Sequence, residues 1–534
     1  MSKGVWILTG GCVVLGLVWN AGLLSFAGLP ATGEARDGSE GAVIAARDVA
    51  ADVLRRAREA PEVGGWETTH AVFGSGNTRW EDTLTFETSA NGLSVLDVHT
   101  PHGNVDIVGD DGDSIRVSAR RIVRSKSESK GATYRDGFRP IVRRDGGTLV
   151  VDVVRPEGKD RPRPKHVKEA YLGFTITAPS RLADGGIETH GPALHIRTGH
   201  GDVGVKRVED GTVALSTGHG DIVLSDIAGD VDLHTGHGDI AVTDAELGVL
   251  KARTGHGDVI ASDVRGSATI SSGHGDVRLA RVEGGVEART GHGEIDIKDC
   301  AGSLALHTGH GNLAIGRGNL DSLNARSGAG DISAEFDTAT GVIDLKTGKG
   351  DLALRANGAQ AVSAHSGRGD IDAHIEGEVA EGVAINTSHG DISVKAARAA
   401  TLTARSGSGS VHVGAVRVDG LLDVNTGNGD IGVIAEDVGE LVAHSGTGLV
   451  EAVVVATEGR AELRSGNGDI SLTVGGDLPF ALDASTSHGD VSCRVDLEDV
   501  ERHKNGRSVR GTRLGGGPEI RLRTGRGDVA IRTR

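Results

Sequence analysis

The stretch Thr217–Val242, TGHGDIVLSDIAGDVDLHTGHGDIAV, opens with five residues that return 18 positions later. The same corner recurs along most of the chain. Its fifth position falls at Asp202, Asp221, Asp239, Asp258, Asp276, Glu294, Asn312 and Asp331, in steps of 18 or 19. It continues at Asp351, Asp370, Asp391, Ser410, Asp430, Leu449, Asp469 and Asp490 in steps of 19 to 21, and Asp528 follows after 38, or two periods. A period near 19 residues is too short for an independent domain and fits one coil of a solenoid.

The apolar alternation shows how one coil is built. Val213, Leu215 and Thr217 share one strand face, and Ile222 and Leu224 share one too. Thr217 to Ile222 is an odd step of five, so a straight strand would put the two sets on opposite faces. The intervening Gly-x-Gly must break the alternation, and glycine does so because it reaches φ > 0 at little cost. Two or three short strands per coil are therefore expected, each pairing in parallel with its copy in the next coil. This is an all-β fold: a single-stranded parallel β-solenoid of roughly 18–21-residue coils, with an N-terminal membrane helix.

The x residue stands at the apex. It is His in the early coils, then Ala329, Lys349, Arg368, His389, Ser408 and others, so it is expected to be exposed and to carry no obligatory chemistry. The acidic position varies far less. It reads as an Asx-type cap that accepts backbone N–H bonds at the corner. Stacked carboxylates about 4.8 Å apart repel by about 0.9 kcal/mol in bulk water, and a corner hydrogen bond of about 0.5–1.5 kcal/mol offsets this.

With 84 Gly and 2% aromatic residues the chain cannot fill a thick core, and Val, Ile, Leu and Ala suit thin coils. The net charge of −17 argues against nucleic acid as a partner. Cys12, Cys300 and Cys493 are too dispersed for a disulfide framework and show no metal-ligand spacing. Cys300 and Cys493 fall at inward strand positions and read as small buried hydrophobes.

Residues 1–33 read as a membrane anchor or signal segment, since no charge occurs from Gly4 to Gly33. As a helix, Val5–Leu29 would reach about 37 Å, enough to cross a bilayer. An uncleaved anchor is favoured over a cleaved signal peptide, whose apolar region runs to about 7–15 residues. Either one exports the rest of the chain. Residues 34–65 read as a partly helical spacer, ended by Pro61 and Gly64-Gly65. Residues 66–185 read as irregular β coils with basic loops, and His102-Gly103-Asn104 is an imperfect first corner. Between Arg120 and Lys168 lie 15 Lys/Arg against 6 Asp/Glu, read as solvated loops ahead of a seat for anionic lipid or wall polymer. Residues 186–534 form the regular array.

The repeated [ST]-G-x-G-[DN]-[IVL] corner, preceded by a strand–loop–strand segment and FTITAPSRL, resembles the bacterial putative-adhesin β-solenoid family over residues 84–534. The resemblance implies an exported or membrane-attached protein, in a family largely without known function. His at the apex is commoner here than the Ser associated with that family, which leaves a metal-related specialisation open.

Three function classes are weighed. A non-enzymatic exported scaffold, adhesin-like and facing an unknown surface or envelope ligand, needs only a stable stack. A metal-binding module would use the ladder His200, His219, His237, His256, His274, His292 and His310, with Asp202, Asp221, Asp239, Asp258 and Asp276 adding oxygen ligands for a divalent cation. The calcium-binding nonapeptide pattern is absent. A polysaccharide-active β-helix enzyme would need aromatic platforms and a singular cluster of charged residues, and neither stands out. The scaffold is preferred, with no catalytic residue and no cofactor assigned. RGD at 368–370 and 526–528 is the corner with Arg at its apex.

Overall fold

Inward residues of successive coils meet in register. In the computed structural model, Ile222–His237 pairs in parallel with Val203–His219 on one side and Ile240–Thr254 on the other. Ile222 meets Val203 and Ile240, Leu224 meets Val205 and Val242, and Leu233 meets Leu215 and Ala252. All nine are at most 2% exposed, so one face of each strand makes the core. The structure describes residues 62, 65–73, 78–156, 163–181, 193–502 and 505–534. The anchor reading of 1–33 and nearly all of the 34–65 spacer lie outside them. No described helix is long and apolar enough to cross a membrane.

The described fold is all-β with one short helix, α1 (Glu128–Gly137). It divides into two units, Met1–Ser272 and Gly273–Arg534, and each carries a parallel β-solenoid. Thr217 and Ile222 are both buried, as the parity of the corner requires. A second break in the first unit, expected from two or three strands per coil, is made by a residue that was not anticipated. Leu224 and Ile227 are both buried although an odd step apart, and Asp226 between them takes φ 55°. Asp tolerates the left-handed region better than most residues with a Cβ. Arg207, Asp244 and Asp263 adopt it in neighbouring coils. Arg281, Asp299 and Arg317 do so in the second unit, and no other non-glycine residue does before Asp499. Past Arg317, in coils of 19–21 residues, the turn closes without that conformation as far as Asp499.

The first unit begins with antiparallel strands rather than loops. Glu67–Phe73, Thr78–Ser89, Ser114–Ser125 and Val167–Pro179 pair in that order. The last of these pairs in parallel with Val105–Asp110, which in turn lies beside Val203–His219. Val95–His102 therefore sits directly on Ala193–His200, and the described residues 111–179 between them form an excursion that returns to pair in parallel with Val95–His102 and Val105–Asp110. Much of the basic stretch lies on these strands and on α1. Arg120 reaches Glu81 at 2.6 Å, Arg139 reaches Glu62 at 2.5 Å, and buried Arg121 reaches buried Asp82 at 2.6 Å. A local charge count misses these partners because they come from residues 62–82, far away in sequence. The scarce aromatic residues gather here too: Trp80, Phe86, Tyr134, Phe138 and Phe174 are buried.

At the end of the second unit the stacking order departs from chain order. The two-period gap before Asp528 is not a skipped coil. Glu519–Arg526 lies between Ala461–Asn467 and Phe480–His488, and Val529–Thr533 lies between Ile470–Val474 and Val491–Cys493. The final coil is thus inserted beneath the one that precedes it in sequence. The irregular stretch supplies Glu498–Arg502 and Ser508–Arg513, and the latter pairs antiparallel with Phe480–His488. That pairing covers an edge that would otherwise template aggregation. Cys300 is buried as expected, but Cys493 is only half-buried. Its strand pairs with Val529–Thr533 on one side, and among the described residues no further coil pairs on the other.

Candidate functional site

A complete corner bonds one coil to the next through four contacts. Two are backbone to backbone: Gly201 N–H donates to the His219 carbonyl and Val203 N–H to the Asp221 carbonyl, both at 2.8 Å. The other two use the signature side chains. Thr217 Oγ1 donates to the Gly201 carbonyl at 3.1 Å, and Thr235 Oγ1 to that of Gly220 at 3.0 Å. The aspartate acts in the opposite direction. Asp239 N–H donates to Asp221 Oδ1 and Asp258 N–H to Asp239 Oδ1, both at 2.8 Å.

The Asx-type reading of the aspartate is therefore corrected. Its carboxylate accepts an N–H from the equivalent residue one coil on, a full period away in sequence and invisible to local spacing. Asn serves equally: Asn104 Oδ1 accepts from Asp202 N–H at 3.1 Å and Asn312 Oδ1 from Asp331 N–H at 2.9 Å. In the second unit the same bond joins Glu294 to Asp276 at 2.9 Å and Asp370 to Asp351 at 2.8 Å. Buried backbone groups must be paired, and [ST]-G-x-G-[DN] pairs both that the strands leave at this corner.

Close approach of the coils explains the glycines. A Cβ on Gly238 would lie 2.0 Å from the Gly220 carbonyl oxygen, and one on Gly236 would lie 2.6 Å from that of Gly218. Gly257 would clash at 1.9 Å with Gly238 without any left-handed φ. The neighbouring backbone, more than the turn itself, excludes a side chain.

The apex histidines are exposed and stacked. In the first unit His102, His200, His219, His237 and His256 follow one another with ring centroids 4.6, 4.6, 4.7 and 4.7 Å apart. In the second, His274 lies 4.9 Å from His292, which lies 5.2 Å from His310. His102 joins the ladder although the excursion separates it from His200 in sequence. The planes of His200, His219 and His237 agree within 1° at each step, so their nitrogens run parallel rather than converging on a shared ion. Among the described residues no group of three or more His, Cys, Asp or Glu is placed to hold a metal. Although its ring reaches solvent, partial desolvation, then the neighbouring His200, Arg155 and Arg163, lowers the pKa of His102. Burial and Asp202 raise that of Asp106, and burial raises that of the Cys300 thiol.

Corner and coil together define a repeat protein whose signature residues bond one coil to the next. The chain belongs to the Toastrack DUF4097 family, whose model matches residues 168–300 and 360–532, more than half of its length. No curated protein matches it. Among solved structures it is similar to a "putative cell adhesion protein" from Clostridium sporogenes, at 8% identity over 88% of this chain and 100% of that one, TM-score 0.13. A "putative adhesin" from Bacteroides fragilis aligns at 11% identity over 85% and 97%, TM-score 0.14. A "putative lipid binding protein" from Parabacteroides distasonis aligns at 11% identity over 58% and 94%, TM-score 0.21.

Proposed function

We propose that the chain is a non-enzymatic scaffold that works outside the cytoplasm as an adhesin-like surface protein. One observation carries this: the residues that look chemical are used for architecture. The recurring aspartates bond successive coils, and the apex beside them accepts His, Lys, Arg, Ser, Asn and Thr. A catalytic site is a singular arrangement, whereas this one repeats. The uncharged Gly4–Gly33 stretch supports export. Protease treatment of intact cells expressing the full chain tests the reading. Degradation of the solenoid while a cytoplasmic control survives is expected. Full protection until lysis would overturn it.

A further inference from the structure

The second unit carries a groove of about 500 Å³ that crosses five coils alongside the corner. Its floor is the position after the corner Thr or Ser, held by Ser388, Gly407, Gly427 and Gly446, where small or missing side chains leave a trough. Its wall is the residue just before the corner Thr or Ser: His365, Asn386, Arg405, Asn425 and His444. Strand register makes that wall one column, since each of these pairs with the next.

The column extends well past the groove. In eleven successive coils it holds Arg289, Arg326, Lys346, Arg405, Arg464 and Arg523, with His307, His365 and His444 and two Asn between them. It contains no acidic residue in a chain of net charge −17. The acidic residues sit one column over. Asp344 meets Arg326 at 3.2 Å and Asp423 meets Arg405 at 2.6 Å. These contacts hold each guanidinium from one side, and Arg326, Arg405 and Arg464 remain 46–57% exposed. A guanidinium has five N–H donors, so a single carboxylate contact leaves others for a ligand, and Arg405 lines the trough itself.

We infer that this column and trough bind a linear acidic polysaccharide laid along the stack. The Lys and Arg groups stand one to three coils apart at a coil rise of about 4.8 Å, with His or Asn in the coils between. A 1,4-linked pyranose advances its chain by about the same distance and turns as it goes, so the carboxylates of a polyuronate that face the column fall at whole multiples of the coil rise, as the cations do. The scarcity of aromatic platforms makes this recognition electrostatic and salt-sensitive. The inference rests on the scaffold reading and names what the scaffold holds.

Binding of polygalacturonate to the purified full-length chain tests it, with dextran as the neutral polymer and a single-stranded oligodeoxynucleotide of matched charge as the other polyanion. One variant replaces Arg326, Lys346, Arg405 and Arg464 with Ser, which the column already accepts at Ser485. A control replaces Arg355, Arg398, Arg417 and Arg460, outside the column, with Ser. The column variant is expected to bind polygalacturonate about tenfold more weakly or worse, and the control to stay within about threefold of wild type. Dextran is expected not to bind. No binding by the wild type, equal loss in the control, or oligonucleotide binding as tight as polygalacturonate would overturn the inference. Circular dichroism of both variants separates loss of binding from loss of fold. The outcome does not depend on where the chain resides, so it fails separately from the surface-scaffold reading.

Discussion

Asp239 has two oxygens, one of which closes a bond that no backbone group makes. Removing it in Asp239→Ala leaves the Asp258 N–H without its acceptor, at an expected cost of about 0.5–1.5 kcal/mol in urea unfolding. Asp239→Asn keeps the acceptor and removes a charge from the carboxylate column, so it is expected to stay within about 0.5 kcal/mol of wild type. Equal losses in the two variants would mean that charge, not acceptance, is what the position supplies. The adjacent pair gives a steric counterpart. Gly238→Val drives a side chain into the Gly220 carbonyl, whereas His237→Ala trims an exposed ring. The first is expected to lower the denaturation midpoint strongly, and the second to leave it nearly unchanged. Thr, Gly and Asp were recognisable from spacing as corner residues. Their bonding partners were not, because each lies one period away and sequence-local turn rules search within a few residues.

Strands were legible where inward residues alternate, and the parity of Thr217 and Ile222 located the main corner. Asp226 and its equivalents escaped notice because a left-handed Asp or Arg has no motif of its own. Stacking order was hidden for another reason. Periodicity reports that Glu519–Thr533 forms a coil, but not which coils it lies between. Its inserted position makes the last strand central rather than peripheral. Ile531 is 1% exposed between two coils, so Ile531→Ala is expected to cost about 2–5 kcal/mol in urea unfolding. An Ala substitution at Glu501, on the exposed Glu498–Arg502 strand, is expected to cost less than about 0.5 kcal/mol. Comparable effects at both sites would contradict the inserted order. The histidine ladder is an element of a different kind. Replacing His200, His219, His237 and His256 with Ser is expected to leave the calorimetric midpoint unchanged, with micromolar Zn²⁺ or with chelator. A ligand at a hundred times its dissociation constant stabilises by about 2.7 kcal/mol, so a zinc-dependent rise confined to the wild type would restore the metal reading.

For the whole molecule, stability is mainly a sum over neighbouring coils, and pH acts where charges are partly buried. The folded-state pKa of His102 is lowered, so the folded state favours the neutral ring. Its contribution is complete above the ordinary imidazole value of about 6.5 and is lost as pH falls through and below that value. Asp106 acts with the opposite sign at lower pH, because its raised folded value favours the protonated form. Thermal midpoints between about pH 7 and pH 5 are therefore expected to fall more steeply for wild type than for His102→Ser. Bonding between coils at the corner is what turns repeats into a stack, and amide exchange reads it directly. In the full-length chain labelled with ¹⁵N-aspartate, exchange at the Asp258 N–H is expected to accelerate in Asp239→Ala. The amide of residue 239, held by Asp221 Oδ1, is expected to remain protected, as read by fragment mass spectrometry of the same variant. Acceleration at residue 239 with Asp258 unaffected would place the aspartate's bond within its own corner and contradict the coil-to-coil assignment.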